Sequence, residues 1–299
     1  MAPFLTFAWI PGMMKVEIFR RSKRWVFAHR SVLLAATVAA VAAMSPPTLA
    51  QQDATEKSIE RYRQMLSDPF ANPGTLVADR GEILWAKPRG PRNAAMTACD
   101  LGLGAGVTNG AFVAMPRYFA DADRVMDLEA RLLWCMTTLQ GFDPAEVTKT
   151  KFSSPGVDSD LEALTAYVAV QSAGMAFAAK LDHPREKQAY ALGEALFFRR
   201  QGPMDFACAT CHGEDGKRIR LQPLPQFDNP AQAREVIGTW PAYRVSQDAL
   251  RTMQHRLYDC FWQMRLPPVE YGSDVTVALI MYLAQKGAGG IVAVPSIKR

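Results

Sequence analysis

The chain has 299 residues, with 34 lysines and arginines against 29 aspartates and glutamates, a formal charge of +5. Six of the basic residues but only one acidic residue, Glu17, precede residue 51, so the remainder is balanced. Nothing in the composition of residues 51–299 argues for nucleic acid or an anionic membrane as a partner, and that length suits one large domain or two of ordinary size.

In chain order, Arg20, Arg21, Lys23, Arg24 and Arg30 precede an apolar run over 31–44, and Thr48-Leu49-Ala50 follows with small residues. This charged, apolar, small-residue order predicts a secretory signal peptide over 1–50. The apolar run falls short of the ~20 residues that span a bilayer. Residues 52–70 read as a polar helix with Ile59, Tyr62, Met65 and Leu66 on one stripe, ended by Pro69 and an Asn72-Pro73-Gly74 turn. A long buried helix is expected over 157–180, a turn at 182–185, and a helix over 186–200 that Gly202-Pro203 breaks. Residues 213–241, rich in Pro, Gly and Asp, are expected to be loop. A helix over 247–264 stops at Pro267-Pro268, and 273–285 forms a final amphipathic helix. Strand patterns are almost absent, so the expected fold is mostly α.

An internal repeat runs through this pattern. Gly81-Glu82-Ile83-Leu84-Trp85 matches Gly193-Glu194-Ala195-Leu196-Phe197, and Cys99 stands as far beyond the first as Cys211 beyond the second. On that register Met96 falls at Cys208 and Asp100 at His212. Arg131-Leu132-Leu133-Trp134-Cys135 matches Arg256-Leu257-Tyr258-Asp259-Cys260, and Tyr167 and Tyr282 follow in turn. The expectation is two related domains in tandem, 51–183 and 184–299.

Cys208-Ala209-Thr210-Cys211-His212 is the strongest chemical signal. Two thiols form thioethers to porphyrin vinyl groups and the adjacent histidine becomes the proximal iron ligand, so one covalent haem c is expected in the second domain. Zinc would need a second cysteine pair at this spacing, and the sequence has none. In the first domain Met96 and Asp100 replace a thioether cysteine and the histidine, which predicts no haem there. The surviving Cys99 and Cys135 are expected to form a disulfide contributing roughly 3–4 kcal/mol. Candidates for the ligand opposite His212 are Met253, His255, Cys260 and Met264. Cys260 is favoured because it is the unpaired sulfur of an exported chain with five cysteines. Met264, beside Pro267, would instead suit plain electron transfer.

The stretch from Cys208 through His212-Gly213-Glu214-Asp215-Gly216-Lys217-Arg218, with Trp240-Pro241-x-Tyr243-Arg244 and Arg256-x-x-x-Cys260-x-x-Gln263-Met264-Arg265, resembles SoxA. So does Cys99-Asp100-Leu101-Gly102-x-Gly104-x-Gly106 followed by Pro116-Arg117-Tyr118-Phe119. SoxA is the larger subunit of the SoxAX cytochrome of sulfur-oxidising bacteria, and Met96 and Asp100 align this chain with its single-haem branch. The resemblance implies a periplasmic L-cysteine S-thiosulfotransferase that joins thiosulfate oxidatively to a cysteine of the carrier SoxYZ. It further implies a SoxX-type small cytochrome as second subunit and a downstream cytochrome as electron acceptor. Cys260 would be both axial ligand and reactive sulfur. Arg256, one helical turn before Cys260, would hold the thiosulfate dianion, with Arg265 and Lys217 as weaker candidates for the same field.

Overall fold

Asn72-Pro73-Gly74 begins a helix instead of closing one. The Asn72 side chain accepts a hydrogen bond from the Gly74 amide at 2.9 Å, and Pro73 at the first helical position lacks an N–H that would have had no partner there. In the computed structural model the described residues are 72–149, 158–219 and 222–298, with Lys57 and Asp68. The expected signal peptide and almost all of the expected helix over 52–70 lie outside them. The described residues from Asn72 onward belong to one compact unit.

The first half runs α1 (Pro73–Ala86), a hairpin of β1 (Arg117–Phe119) and β2 (Arg124–Met126), then α2 (Leu128–Thr138), the short α3 (Pro144–Val147) and α4 (Asp160–Val170). The second half runs α5 (Pro184–Phe198), α6 (Cys208–His212), a two-residue pairing of β3 (Arg218–Ile219) with β4 (Gln222–Pro223), then α7 (Pro230–Gly238). It continues with a hairpin of β5 (Ala242–Arg244) and β6 (Ala249–Arg251), α8 (Met253–Gln263) and α9 (Asp274–Lys286). Last comes β7 (Ser296–Lys298), which lies parallel to β5. Helices dominate, as expected, and the strands are short.

Three further expected elements differ. The helix expected over 157–180 ends at Val170. Gly174 turns left-handed at φ 78°, and the next amides bond elsewhere, Phe177 to the Gly290 carbonyl and Ala178 to that of Val113, both at 2.9 Å. The loop expected over 213–241 contains α7, started by Asn229, whose side chain accepts from the Ala231 and Gln232 amides. The helix expected over 247–264 starts only at Met253, because 249–251 is committed to β6 and the Thr252 hydroxyl caps the His255 amide at 3.3 Å.

The repeat is visible in local geometry. A Cβ on Gly81 would lie 2.0 Å from the Ala163 carbonyl oxygen, and one on Gly193 would lie 2.0 Å from that of Ala278. Only glycine allows α1 to meet α4, and α5 to meet α9, backbone to backbone. The two hairpins share one register, Arg117 opposite Met126 in one and Ala242 opposite Arg251 in the other. Tyr118 donates its hydroxyl to Asp123 and Tyr243 donates to Asp248, with the two aspartates at φ 48° and 49°. Cys99 and Cys135 form the expected disulfide inside the first half's core.

Buried polar contacts lock the halves together. Gln254 at the start of α8 donates to Asp127 at 2.9 Å, accepts from the Gly272 amide at 3.1 Å, and its backbone amide donates to Glu129 at 3.3 Å. Arg251 of β6 pairs with Glu162 of α4 at 3.1 Å, with both side chains 2% exposed or less. A buried pair of this kind adds little net stability, because desolvation offsets the attraction, but breaking it on one side leaves an unpaired buried charge and costs much. Arg251→Met is expected to lower stability by about 3–5 kcal/mol in chemical denaturation, and the double variant with Glu162→Gln to recover most of that loss.

Candidate functional site

The Cys208–His212 turn stands where α5 delivers it. Beyond α5 the chain reverses at Gly202 (φ 74°), and the Thr210 hydroxyl accepts from the Ala207 amide at 2.9 Å to start α6. His212 Nδ1 lies 2.8 Å from the Pro225 carbonyl oxygen. A carbonyl only accepts, so Nδ1 carries the proton and Nε2 keeps its lone pair for a metal. Burial pushes the imidazole's pKa down, partly opposed by the Pro225 bond, which favours the neutral ligand form. Burial also raises the Cys208 thiol to about 12 and raises Cys211, with Cys260 adding to both.

These residues open onto a cavity of about 390 Å³. Cys208, Cys211 and His212 line it, and so do Met253, Arg256, Leu257 and Cys260 of α8 and Met264 just beyond the helix end. Phe197, Leu224, Phe227 and Leu283 make much of the remainder apolar. Amphipathic α8 explains the placement, since Arg256 and Cys260, one turn apart, share its cavity-facing side.

Of the expected ligand candidates, Cys260, Met264 and Met253 line the cavity and His255 does not. His255 is 1% exposed, with its ring nitrogens 3.9 Å from Glu162 and 3.7 Å from Asp259. The weaker cation candidates do not line the cavity: Lys217 pairs with Glu214 at 2.9 Å, its charge still reaching Cys211, and Arg265 lies over the Trp262 ring. Two cations to which the sequence reading gave no site role do line the cavity: Arg244, quoted there only within the resemblance motif, and Lys298. Aligning Pro116–Phe119 with Pro241–Arg244 as part of the repeat would have drawn attention to Arg244. Lys298 arrives through the tertiary pairing of β7 and carries no local signal.

The residues fit a haem c. Two thiols and an imidazole with a free Nε2 lie on one helical turn and line an apolar cavity of ligand size that Cys260 also lines. A family model described as "SoxA/TsdA, cytochrome c domain" matches residues 80–177. An L-cysteine S-thiosulfotransferase subunit SoxA of Hydrogenophilus thermoluteolus is 46% identical over 256 residues, spanning 85% of this chain and 93% of the relative. One from Hydrogenobacter thermophilus is 36% identical over 83% of this chain and 92% of its own length. The chain belongs to the SoxA family. The crystal structure of SoxXA from P. pantotrophus superposes with a TM-score of 0.64 at 26% identity, covering 80% of this chain and 84% of that one.

Where this SoxA-family chain has its cavity in the second half, the first half is filled. Met96, at the register position of Cys208, is fully buried, and Leu101, Leu132, Met136 and the Cys99–Cys135 disulfide pack with it. Asp100, in the place of His212, accepts from the Gly102 and Gly104 amides at 2.6 and 3.0 Å and serves the loop. Cys208, Cys211 and Cys260 take part in no disulfide. Chain produced without haem attachment is therefore expected to give alkylation at those three cysteines when unfolded without reductant, and at Cys99 and Cys135 only after reduction. Peptide mapping by mass spectrometry reads the difference.

Proposed function

We propose that this chain is the haem-carrying, substrate-binding subunit of an L-cysteine S-thiosulfotransferase. It would be exported to the periplasm after removal of residues 1–50 and built as two cytochrome c-like domains, 51–183 without haem and 184–299 with one. The name carried by relatives up to 46% identical supports the reaction, and the clustering of Cys260 and Arg256 with the Cys208–His212 turn around one cavity supports the site. The SoxXA match supports a SoxX-type small cytochrome as second subunit. The carrier SoxYZ, thiosulfate and a downstream acceptor cytochrome complete the assignment.

In this reading Cys208 and Cys211 would hold the haem by thioethers, and His212 and Cys260 would be the residues that ligate its iron. When bound, the haem supplies a one-electron acceptor beside the reacting sulfur. The net reaction takes a carrier thiol and thiosulfate to a carrier S–S–SO₃⁻ group, releasing two electrons and one proton. Arg256 holds the dianion with a permanent charge and turns its sulfane sulfur toward Cys260 Sγ. Cys260 serves as the covalent relay: oxidative coupling of its thiolate to the sulfane sulfur gives a Cys260 S–S–SO₃⁻ adduct while two electrons pass to the downstream acceptor, and the carrier thiolate then attacks that sulfane sulfur and displaces the Cys260 thiolate. The apolar walls formed by Phe197, Phe227 and Leu257 exclude water from a sulfur–sulfur bond under attack.

Met264 also lines the cavity, and its thioether would make the chain a plain electron carrier. Turnover decides between the two. With haem content unchanged, Cys260→Met is expected to cut thiosulfate transfer to the carrier by at least about a thousandfold. Arg256→Met is expected to lower kcat/KM about 10–100-fold, as loss of a charged hydrogen bond does. Full turnover by Cys260→Met with full haem overturns the relay. Peptide mapping should place one haem on the Cys208–Cys211 peptide and none on the Cys99 peptide.

A further inference from the structure

The two halves provide an internal comparison for the charge around the cavity. Their hairpins and the helices that follow share one register, so β1 through α2 can be laid residue by residue on β5 through α8. Arg131 then stands at Arg256 and Cys135 at Cys260. In the first half Arg131 is consumed locally. Its guanidinium donates two hydrogen bonds to Asp121 at 2.9 and 2.8 Å, and a third to the Asp100 carbonyl at 2.8 Å. It also lies over the Phe119 ring at 4.1 Å.

Each of those fittings is altered in the second half. Ser246 occupies the register position of Asp121, so the acid is gone. Arg244 occupies that of Phe119, so a second cation replaces the ring. A third strand, β7, is added in parallel to β5 with Lys298 directly opposite Arg244, whereas the first-half hairpin has two strands among the described residues. Arg244, Arg256 and Lys298 all line the cavity that holds Cys260. Acidic groups near them are Asp259, 3.8 Å from Arg256, and Glu235 beside Lys298. Burial lowers the Lys298 pKa, Glu235 partly offsets this, and Arg244 and Arg256 lower it further, so the three cations feel one another.

We propose that Arg244 and Lys298 join Arg256 in a three-cation receptor that binds thiosulfate in the Cys260 cavity, the C-terminal strand β7 being the element that completes it. The inference rests on the functional reading above and extends it from one cation to three. Cations from β5, α8 and β7 surround a small dianion better than one arginine can, and an anion relieves their mutual repulsion. An anionic group at this site has two possible sources, thiosulfate and the haem's own carboxylates, and the experiment separates them.

The test is calorimetric titration of thiosulfate into the haem-loaded protein at low ionic strength, without carrier so that no transfer occurs. The variants are Lys298→Met, Arg244→Met and Ser246→Asp, the last restoring the acid that neutralises Arg131. Each is expected to weaken thiosulfate binding about tenfold or more and to raise KM more than it lowers kcat, with haem content and reduction potential unchanged. Ser246→Asp removes no cation, so its effect reads charge alone. Unchanged affinity in Lys298→Met and Ser246→Asp, beside normal binding by the parent protein, overturns the receptor and leaves Arg256 alone. A shift in haem content or potential with affinity intact assigns the cations to the haem carboxylates and overturns it as well. Failure of the parent protein to bind thiosulfate would sink the functional reading itself, and the receptor with it.

Discussion

Everything at the cavity depends on how closely α5 and α9 approach. At Gly193 the α5 backbone lies so near the Ala278 carbonyl that a single Cβ would overlap it, and this contact fixes how closely α5 packs on α9. The chain leaves α5, turns at Gly202 and enters the Cys208–His212 turn over a few residues. The position of both thiols and the imidazole is therefore set by backbone packing between helices. Phe197 of the same helix packs on Phe227 and Tyr282 and lines the cavity, so the contact that positions the haem-binding turn also shapes the space in front of it.

The same frame appears twice with different contents. In the first half, α1 meets α4 at Gly81 as α5 meets α9 at Gly193, and the hairpin before α2 has the register of the hairpin before α8. What differs is side-chain occupancy. Buried Met96, Leu101, Leu132 and Met136 fill the first interior, and a disulfide joins the two sulfurs that would otherwise face a cavity. Closing the interior gives the first half a core of its own, and the Arg251–Glu162 pair and the Gln254 contacts tie that core to the element carrying Cys260.

Much of this was legible in the sequence, because repeats and cysteine motifs are local patterns. Cys208-x-x-Cys211-His212, the Gly81 and Gly193 segments and the pairing of Cys99 with Cys135 could all be read from spacing. Elements whose backbone bonds are satisfied at long range were misread. Residues beyond Val170 look helical by composition but bond to the C-terminal segment, and 249–251 looks like helix but pairs with 242–244. Pro and Gly in 213–241 suggested loop, although Asn229-Pro230 is a helix start. His255 resembled a ligand in sequence and is instead held in the interior between Glu162 and Asp259. Lys298 reaches the cavity only through a parallel strand pairing, which leaves no trace in its neighbours.

The central claim is that a sulfur of this chain, that of Cys260, would ligate the haem iron together with His212 and carry the chemistry. Low-temperature EPR of the oxidised, haem-loaded protein beside its Cys260→Met variant tests this most directly. The account predicts a low-spin thiolate-type signal in the parent protein that is lost in the variant. A histidine–methionine-type signal that survives the substitution unchanged would contradict it and give the ligand position to Met264.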